Sequence, residues 1–526
     1  MQKQLRFGCE VVEVLNIMRQ QKERDISYLS NEALRAGYQL VEATRDLWQE
    51  VKEELITLVK RELPWESPCI VVWWYSVLMG IHKDQKLFLE MISYIRANQC
   101  AFSGNTNYFL FYQLKSLAFR YSEMETTAVQ VELWKYFREI VEDFAQSTNA
   151  CLDAIPPADR NQKKAIVLIE QVLGVHHGPT KTALDRCKCL MENMGMDVLL
   201  VNTGEMLSQI DDIPFFDAVV GIQMDESEQE SFLEWKGVQV PFYACKGSMP
   251  ERQQVNIMLN HIREMAPGHI ISIGGSGMLA NLVNRMIPVT VIGLCPSSLE
   301  YTSAKYQTLG RKLNADDRQV LQAVGVDEDH VIESIFTSSL KPQTGHVSRR
   351  ELGIDEDAFV LVTVGMRLDE EITGEFLQML ERCMIGSMTW IIWGKFLEYE
   401  SCLSKYPKVK AHTIYAGTCE DILSCIEVCD LYVNPIRKGG GTSSVEAMYK
   451  GVPVVTVNYG DVAINVGERF CVSDYDKMSE EIEHYYVDAA YYQKMRNCAL
   501  QRVEILLDTV REFVRIVNEV DRREQS

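Results

Sequence analysis

The sequence predicts a mixed α/β protein, with an all-helical N-terminal domain followed by two doubly wound, parallel-sheet halves in tandem. Three observations carry this prediction. Residues 1–157 are poor in glycine and proline and place apolar side chains at helical spacing. From Ala165 onward, short apolar runs alternate with helical stretches, the mark of a parallel sheet covered on both faces. After a polar, less regular stretch from Ser297 to Arg350, the same alternation begins again.

In the first domain Leu34, Tyr38, Val41, Trp48, Val51 and Leu55 follow the helical period, as does the run from Trp134 to Phe144. The most apolar run, Cys69 to Ile81, is shorter than the ~18–20 residues of a membrane span and reads as a buried helix. No period marks a tandem repeat. Ile155-Pro156-Pro157 through Lys164 reads as the exit linker. The first half is expected to place strands at Ala165–Glu170, Asp197–Asn202, Asp217–Ile222, Val240–Tyr243, His269–Ile273 and Val289–Leu294. The second places them at Phe359–Gly365, Thr389–Trp393, Thr413–Tyr415, Leu431–Asn434 and Val452–Val457, with a helical tail from Lys477. The expected domains are 1–157, 158–345, 346–510 and a C-terminal helix or tail, 511–526. Two such halves face each other across a cleft at the carboxyl ends of their strands, where ligands of doubly wound folds bind.

Composition narrows the function. The chain has 526 residues, 24% charged and 47% hydrophobic, the balance of an ordinary globular protein. A net charge of −21 argues against a protein that grips nucleic acid phosphates through clustered Lys and Arg. Met1 to Phe7 is polar and basic with no apolar segment behind it, so no secretory signal is expected and a cytoplasmic location is. Fifteen cysteines spread along the chain form no CxxC pair, and no histidine stands at zinc-finger spacing. Free thiols and no structural metal are expected.

The strongest local signal lies between Asp430 and Val457. A strand ends at Asn434-Pro435, Arg437 and Lys438 follow, then Gly439-Gly440-Gly441, and Thr442-Ser443 opens a helix. Glycines let backbone approach a ligand closely, and a helix start offers unpaired N–H groups and a positive dipole end, which favour phosphate. Arg437 and Lys438 add mobile positive charge, and Glu446 lies one turn on, within reach of a ribose diol. The bland alternative is a capping box, Ser443 to Glu446, in which the glutamate folds back on the helix's own N-terminus. It explains the serine and the glutamate but not three glycines behind two cations.

The run GGGTSSVEAMYKGVPVVT resembles the nucleotide-sugar motif of GT-B glycosyltransferases, and in particular the inverting family of O-GlcNAc transferase and the bacterial cytoplasmic N-glucosyltransferases. The resemblance implies a GT-B fold of two Rossmann-like halves, with Thr442 at the diphosphate and Glu446 at the ribose. The Glu-x7-Glu pattern of retaining GT-B enzymes would put its first glutamate at Lys438, which favours inversion. Arg367, in VTVGMRLD, stands where that family places a cation against the diphosphate; its bland alternative is a surface Arg paired to Asp369 or Glu370. His176-His177-Gly178-Pro179-Thr180 resembles the family's H-P-T turn with one glycine inserted. His177 is the preferred candidate to polarise or orient the acceptor, with His176 beside it.

Weaker signals surround these. Gly274 to Ala280 contains G-x-G-x-x-A after a strand, but the next strand carries no acidic residue for a ribose, so a dinucleotide site is disfavoured. Gly417, in Tyr415 to Thr418, is placed near the base, Asp461 near the sugar, and Lys395 is a minor candidate for the diphosphate. The acidic run Asp225 to Glu230 reads as a solvated loop. The implied activity is transfer of a sugar from a nucleoside diphosphate, UDP first, to a protein or glycan acceptor. It needs no metal or resident cofactor, and the helical domain is a candidate for presenting polypeptide or forming a homo-oligomer. Two rivals are a nucleotide-sugar 2-epimerase of the same fold and a non-catalytic partner of a protein glycosyltransferase.

Overall fold

The computed structural model describes residues 26–45, 47–173, 177–205, 213, 215–219, 230–245 and 250–525. Among the described residues, six α-helices form the N-terminal domain: Ile26–Thr44, Gln49–Glu62, Pro68–Ile81, Gln85–Ala97, Gly104–Arg120 and Thr127–Ser147. Side-chain caps fix three of their starts. Asp84 accepts from Leu87 N, Ser103 from Thr106 N and Thr126 from Val129 N, satisfying N–H groups that a helix start leaves unpaired. The apolar run forms the helix Pro68–Ile81, buried nearly all round by Trp73, Trp74, Val77 and Leu78 among others.

Eight strands form the first sheet: β1 Asn161–Ile169, β2 Asp197–Asn202, β3 Phe232–Trp235, β4 Val238–Ala244, β5 Pro267–Ile273, β6 Val289–Ile292, β7 Tyr306–Leu309 and β8 Val331–Glu333. Their order is β3-β4-β2-β1-β5-β6-β7-β8. Among the described strands only β3 runs antiparallel, joined to β4 through Lys236 and Gly237, both at positive φ as a tight hairpin turn requires. The second sheet contains β9 Phe359–Gly365, β10 Met388–Gly394, β11 Thr413–Gly417, β12 Leu431–Val433, β13 Val454–Val457 and β14 Cys471–Val472, all parallel in the order β11-β10-β9-β12-β13-β14. The central strands bury continuous runs rather than alternate residues, Ala165–Ile169 in β1 and Val360–Thr363 in β9, as strands covered on both faces do.

Several expectations are corrected. The linker is shorter than expected, because Asn161 to Lys164 already pair as the start of β1. Asp217 to Val219 are turn and coil rather than strand, and 220–222 lie outside the described residues, as do 225–229 of the acidic run. The irregular stretch after Ser297 contains β7, the helix Ala315–Val324 and β8. Cys419 and Cys425 are joined as a disulfide, against the expectation of free thiols throughout. The last helix, Thr509–Gln525, crosses back to the first half, where Phe513, Ile516, Val517 and Val520 join the core of β1, β2 and β4. The helical domain shares one continuous core with the first half: Trp73, Phe111 and Phe137 belong to the same cluster as Ile166, Ile270 and Val289.

Sheet order fixes where a ligand goes. β1 lies between β2 and β5, and β9 lies between β10 and β12, so strand order reverses beside β1 in one sheet and beside β9 in the other. The crevice at the carboxyl end of such a switch point is the binding position of an open α/β sheet. The loops after β1 and β5 meet the loops after β9 and β12 there. No helix among the described residues is long and apolar enough to cross a membrane.

Candidate active site

The site is built on the loop after β12. The helix behind it runs Gly441–Tyr449, and its N-cap, Gly440, supplies no side-chain cap, so the first-turn N–H groups have no side-chain acceptor. The capping box does not form, because the helix starts at Gly441 and places Ser443 inside its first turn. Ser443 Oγ instead donates to Gly440 O at 3.0 Å, and Ser444 Oγ donates to Gly441 O at 2.7 Å. The glycines have steric causes. Gly440 sits at φ +91°, and a Cβ there would lie 2.6 Å from the Arg437 guanidinium; a Cβ on Gly441 would lie 2.6 Å from Asn465 Nδ2. A Cβ on Gly439 would stand 3.1 Å from an Arg367 terminal nitrogen, so the turn passes directly beside that cation.

Arg437 is not a mobile cation. Its guanidinium is buried and donates to Glu371 Oε2 at 2.7 Å, Tyr432 Oη at 2.8 Å and Asn434 Oδ1 at 2.8 Å. The fold brings these groups together because β12 and the helix Leu368–Glu371 meet at the switch point. Arg367 donates to the other oxygen, Glu371 Oε1, at 3.1 Å, so its partner is neither Asp369 nor Glu370. Its guanidinium also lies 4.9 Å over the Phe119 ring, a face that attracts cations. Tyr432 Oη stands 2.7 Å from Ser443 Oγ, so one chain of contacts runs from Arg367 through Glu371, Arg437 and Tyr432 to the helix start.

Lys438 faces the cleft and the helical domain. Its Nζ pairs with Glu125 Oε1 at 2.5 Å, while the other Glu125 oxygen accepts from Tyr459 Oη at 2.7 Å. Asp461 lies at the start of the helix Gly460–Val466 and clasps the first half, accepting from Ser297 Oγ at 2.6 Å and Ser297 N at 3.2 Å. Burial pushes its carboxyl up to about 6, with the Ser297 bonds pulling the other way. Burial likewise pushes Glu446 up to about 7 against the pull of Lys181 and Lys341. Lys181 belongs to the first-half helix Gly178–Glu192, so Glu446 faces across the cleft. Gly417 closes β11 at φ +72° with open space around its Cα, and Lys395 N donates to Gly365 O.

His177 is the N-cap residue of the helix Gly178–Glu192; His176 lies outside the described residues. Its Nδ1 is 3.1 Å from Thr180 Oγ1, which also accepts from Leu173 N at 3.1 Å. Thr180 Oγ1 therefore ties the histidine ring to the loop after β1 and fixes its orientation. Burial and the charge of Lys181 lower the His177 pKa, which favours the neutral ring. The glycine turn after β5 is occupied by carboxylates of the protein itself. Glu205 accepts from Leu279 N at 2.7 Å and Glu300 from Gly275 N at 3.3 Å, filling the anion positions that a dinucleotide would need.

These groups surround a cavity of ≈ 380 Å³, bounded by the helical domain and both halves. Its lining includes Arg367 and Lys438, Glu170, Glu300 and Lys115, and the aromatic rings of Tyr112 and Phe119. The sequence reading missed Glu371, Tyr432, Glu125 and Lys115, which reach the site only through tertiary packing. Glu170 carried a readable signal, a lone carboxylate closing an apolar strand. Among the described residues no group of three or more His, Cys, Asp or Glu is placed to hold a metal ion.

Residues 346–502 match the sequence model of the family described as glycosyl transferases, group 1. No curated protein matches the chain. Among solved structures, an O-GlcNAc transferase variant from Thermobaculum terrenum is 10% identical, with 98% of each chain covered and a TM-score of 0.52. A glycosyltransferase from Rickettsia africae is 10% identical over 68% of this chain and 99% of its own, with a TM-score of 0.50. The architecture is GT-B, with a helical domain in front.

Proposed function

We propose that the protein transfers a sugar from a nucleoside diphosphate donor, UDP first, to a hydroxyl or amide of a protein or glycan, with inversion and without a metal. The observation that carries this reading is the uncapped first turn of the helix Gly441–Tyr449 beside Arg367 and Lys438, at the switch point of a group 1 glycosyltransferase domain. The backbone N–H groups and helix dipole hold the diphosphate, and the two cations neutralise the charge that builds on it as the sugar leaves. Arg367 is already aimed by Glu371 and Phe119, so little reorganisation is needed. Glu446 receives the ribose hydroxyls, and His177 orients the acceptor.

A thermal-shift panel of UDP- and GDP-sugars tests the reading, because a ligand that binds only the folded state stabilises it, by about 2.7 kcal/mol at 100 times its Kd. Product analysis then separates transfer from epimerisation, and no shift with any nucleotide sugar supports the non-catalytic partner instead. Arg367→Ala is expected to lower turnover about 100-fold while nucleotide affinity changes much less. Equal losses in both would remove its assigned role.

A further inference from the structure

Resting on the sugar-transfer reading, we propose that Glu170 is the base that takes the acceptor's proton, and that Lys115 of the helical domain is its positioning residue. Glu170 follows β1 directly, so it stands at the switch point of the first sheet and lines the same cavity as Arg367 and Lys438. An acceptor held in that cavity meets both a carboxylate and the cations that receive the leaving diphosphate.

The neighbouring carboxylates are already engaged. Glu205 caps Leu279 N, and Glu300 accepts from Gly275 N and Leu294 N. Glu170 accepts one hydrogen bond among the described residues, from Ser276 Oγ at 3.4 Å. The His177 ring is already engaged through Nδ1 by Thr180 Oγ1. Lys115 projects from the helix Gly104–Arg120, and its Nζ donates to Ser276 Oγ, which forms a Lys115–Ser276–Glu170 line. The charged and titratable groups facing Glu170 are Lys115, Tyr108 and Tyr112 from that helix, Glu205 after β2 and Glu300 after β6. Burial raises the Glu170 pKa, which strengthens it as a base, and Lys115 keeps the rise in check.

In the step itself, the acceptor O–H or N–H gives its proton to a Glu170 oxygen. The freed pair forms the bond to the anomeric carbon, while the bond to the diphosphate oxygen breaks and its electron pair leaves on the phosphate. With water as acceptor the products are free sugar, UDP and a proton.

The test uses the full chain with UDP-glucose and UDP-GlcNAc, water as acceptor, and UDP release followed across pH. The wild type is expected to speed up as pH rises through the Glu170 titration. Glu170→Gln is expected to lower the rate by about 100-fold or more, the usual worth of a general base, with UDP affinity unchanged. Lys115→Met moves the rising limb to higher pH, since losing the cation makes Glu170 harder to ionise, and Lys115→Arg restores it. The assignment is overturned if Glu170→Gln keeps the wild-type rate and profile, if it loses UDP affinity along with rate, or if the wild type binds these donors without releasing UDP. Failure of wild type and variant alike to bind UDP overturns the sugar-transfer reading itself, and this assignment with it.

Discussion

Arg367 and Arg437 share the carboxylate of Glu371 yet differ in kind, because one faces the cleft and the other is sealed beneath the glycine turn. Arg437→Met leaves Glu371 and Tyr432 without their buried partner, and removal of one member of such a pair costs about 3–5 kcal/mol. Urea unfolding should show a loss of that size; a loss below about 1 kcal/mol would mean that the pair is not structural. Glu446 gives a pH signature. Its folded pKa of about 7 is raised by burial, and ribose hydroxyls donate best to the ionised form. UDP-glucose, whose phosphates stay ionised, should therefore bind more tightly as pH rises through about 7, and Glu446→Gln should flatten that dependence in calorimetric titrations. The glycines and Glu446 were legible as a linear motif. The fate of Arg437 was not, since Glu371 lies 66 positions away and meets it only where β9 and β12 pair.

At the scale of elements, the strands were legible wherever an apolar run is buried on both faces, as in β1, β2, β9 and β10. The hairpin of β3 and β4 was only half visible: β3 is a short edge strand with mixed burial, and its pattern says little. The last helix was expected, but its destination was not. Thr509–Gln525 carries one apolar stripe, Phe513, Ile516, Val517 and Val520, and seals the first half rather than the second. Ending the chain at Asp508 should destabilise the first half by several kcal/mol, at about 1.5–3 kcal/mol per side chain unburied. The lost protection should appear in hydrogen exchange at β1 and β2; unchanged protection there would contradict the packing.

At the scale of the whole molecule, the boundary at residue 157 separates two textures of sequence but not two cores. The helical domain forms the third wall of the cleft, with Phe119 beneath Arg367 and Lys438 and Glu125 holding Lys438. Nothing linear in the sequence pointed there, because those side chains look like ordinary helix surface until the halves close on them. In a chain of net charge −21, Arg367 and Lys438 beside the uncapped helix start suit a compact anionic donor better than a polyanion. Calorimetric titration of UDP into the full chain in EDTA tests that claim most directly. Binding should be saturable, and Lys438→Met should weaken it by about tenfold or more, as the loss of one charge-assisted contact implies. No binding of UDP, or binding that Lys438→Met leaves unchanged, would contradict it.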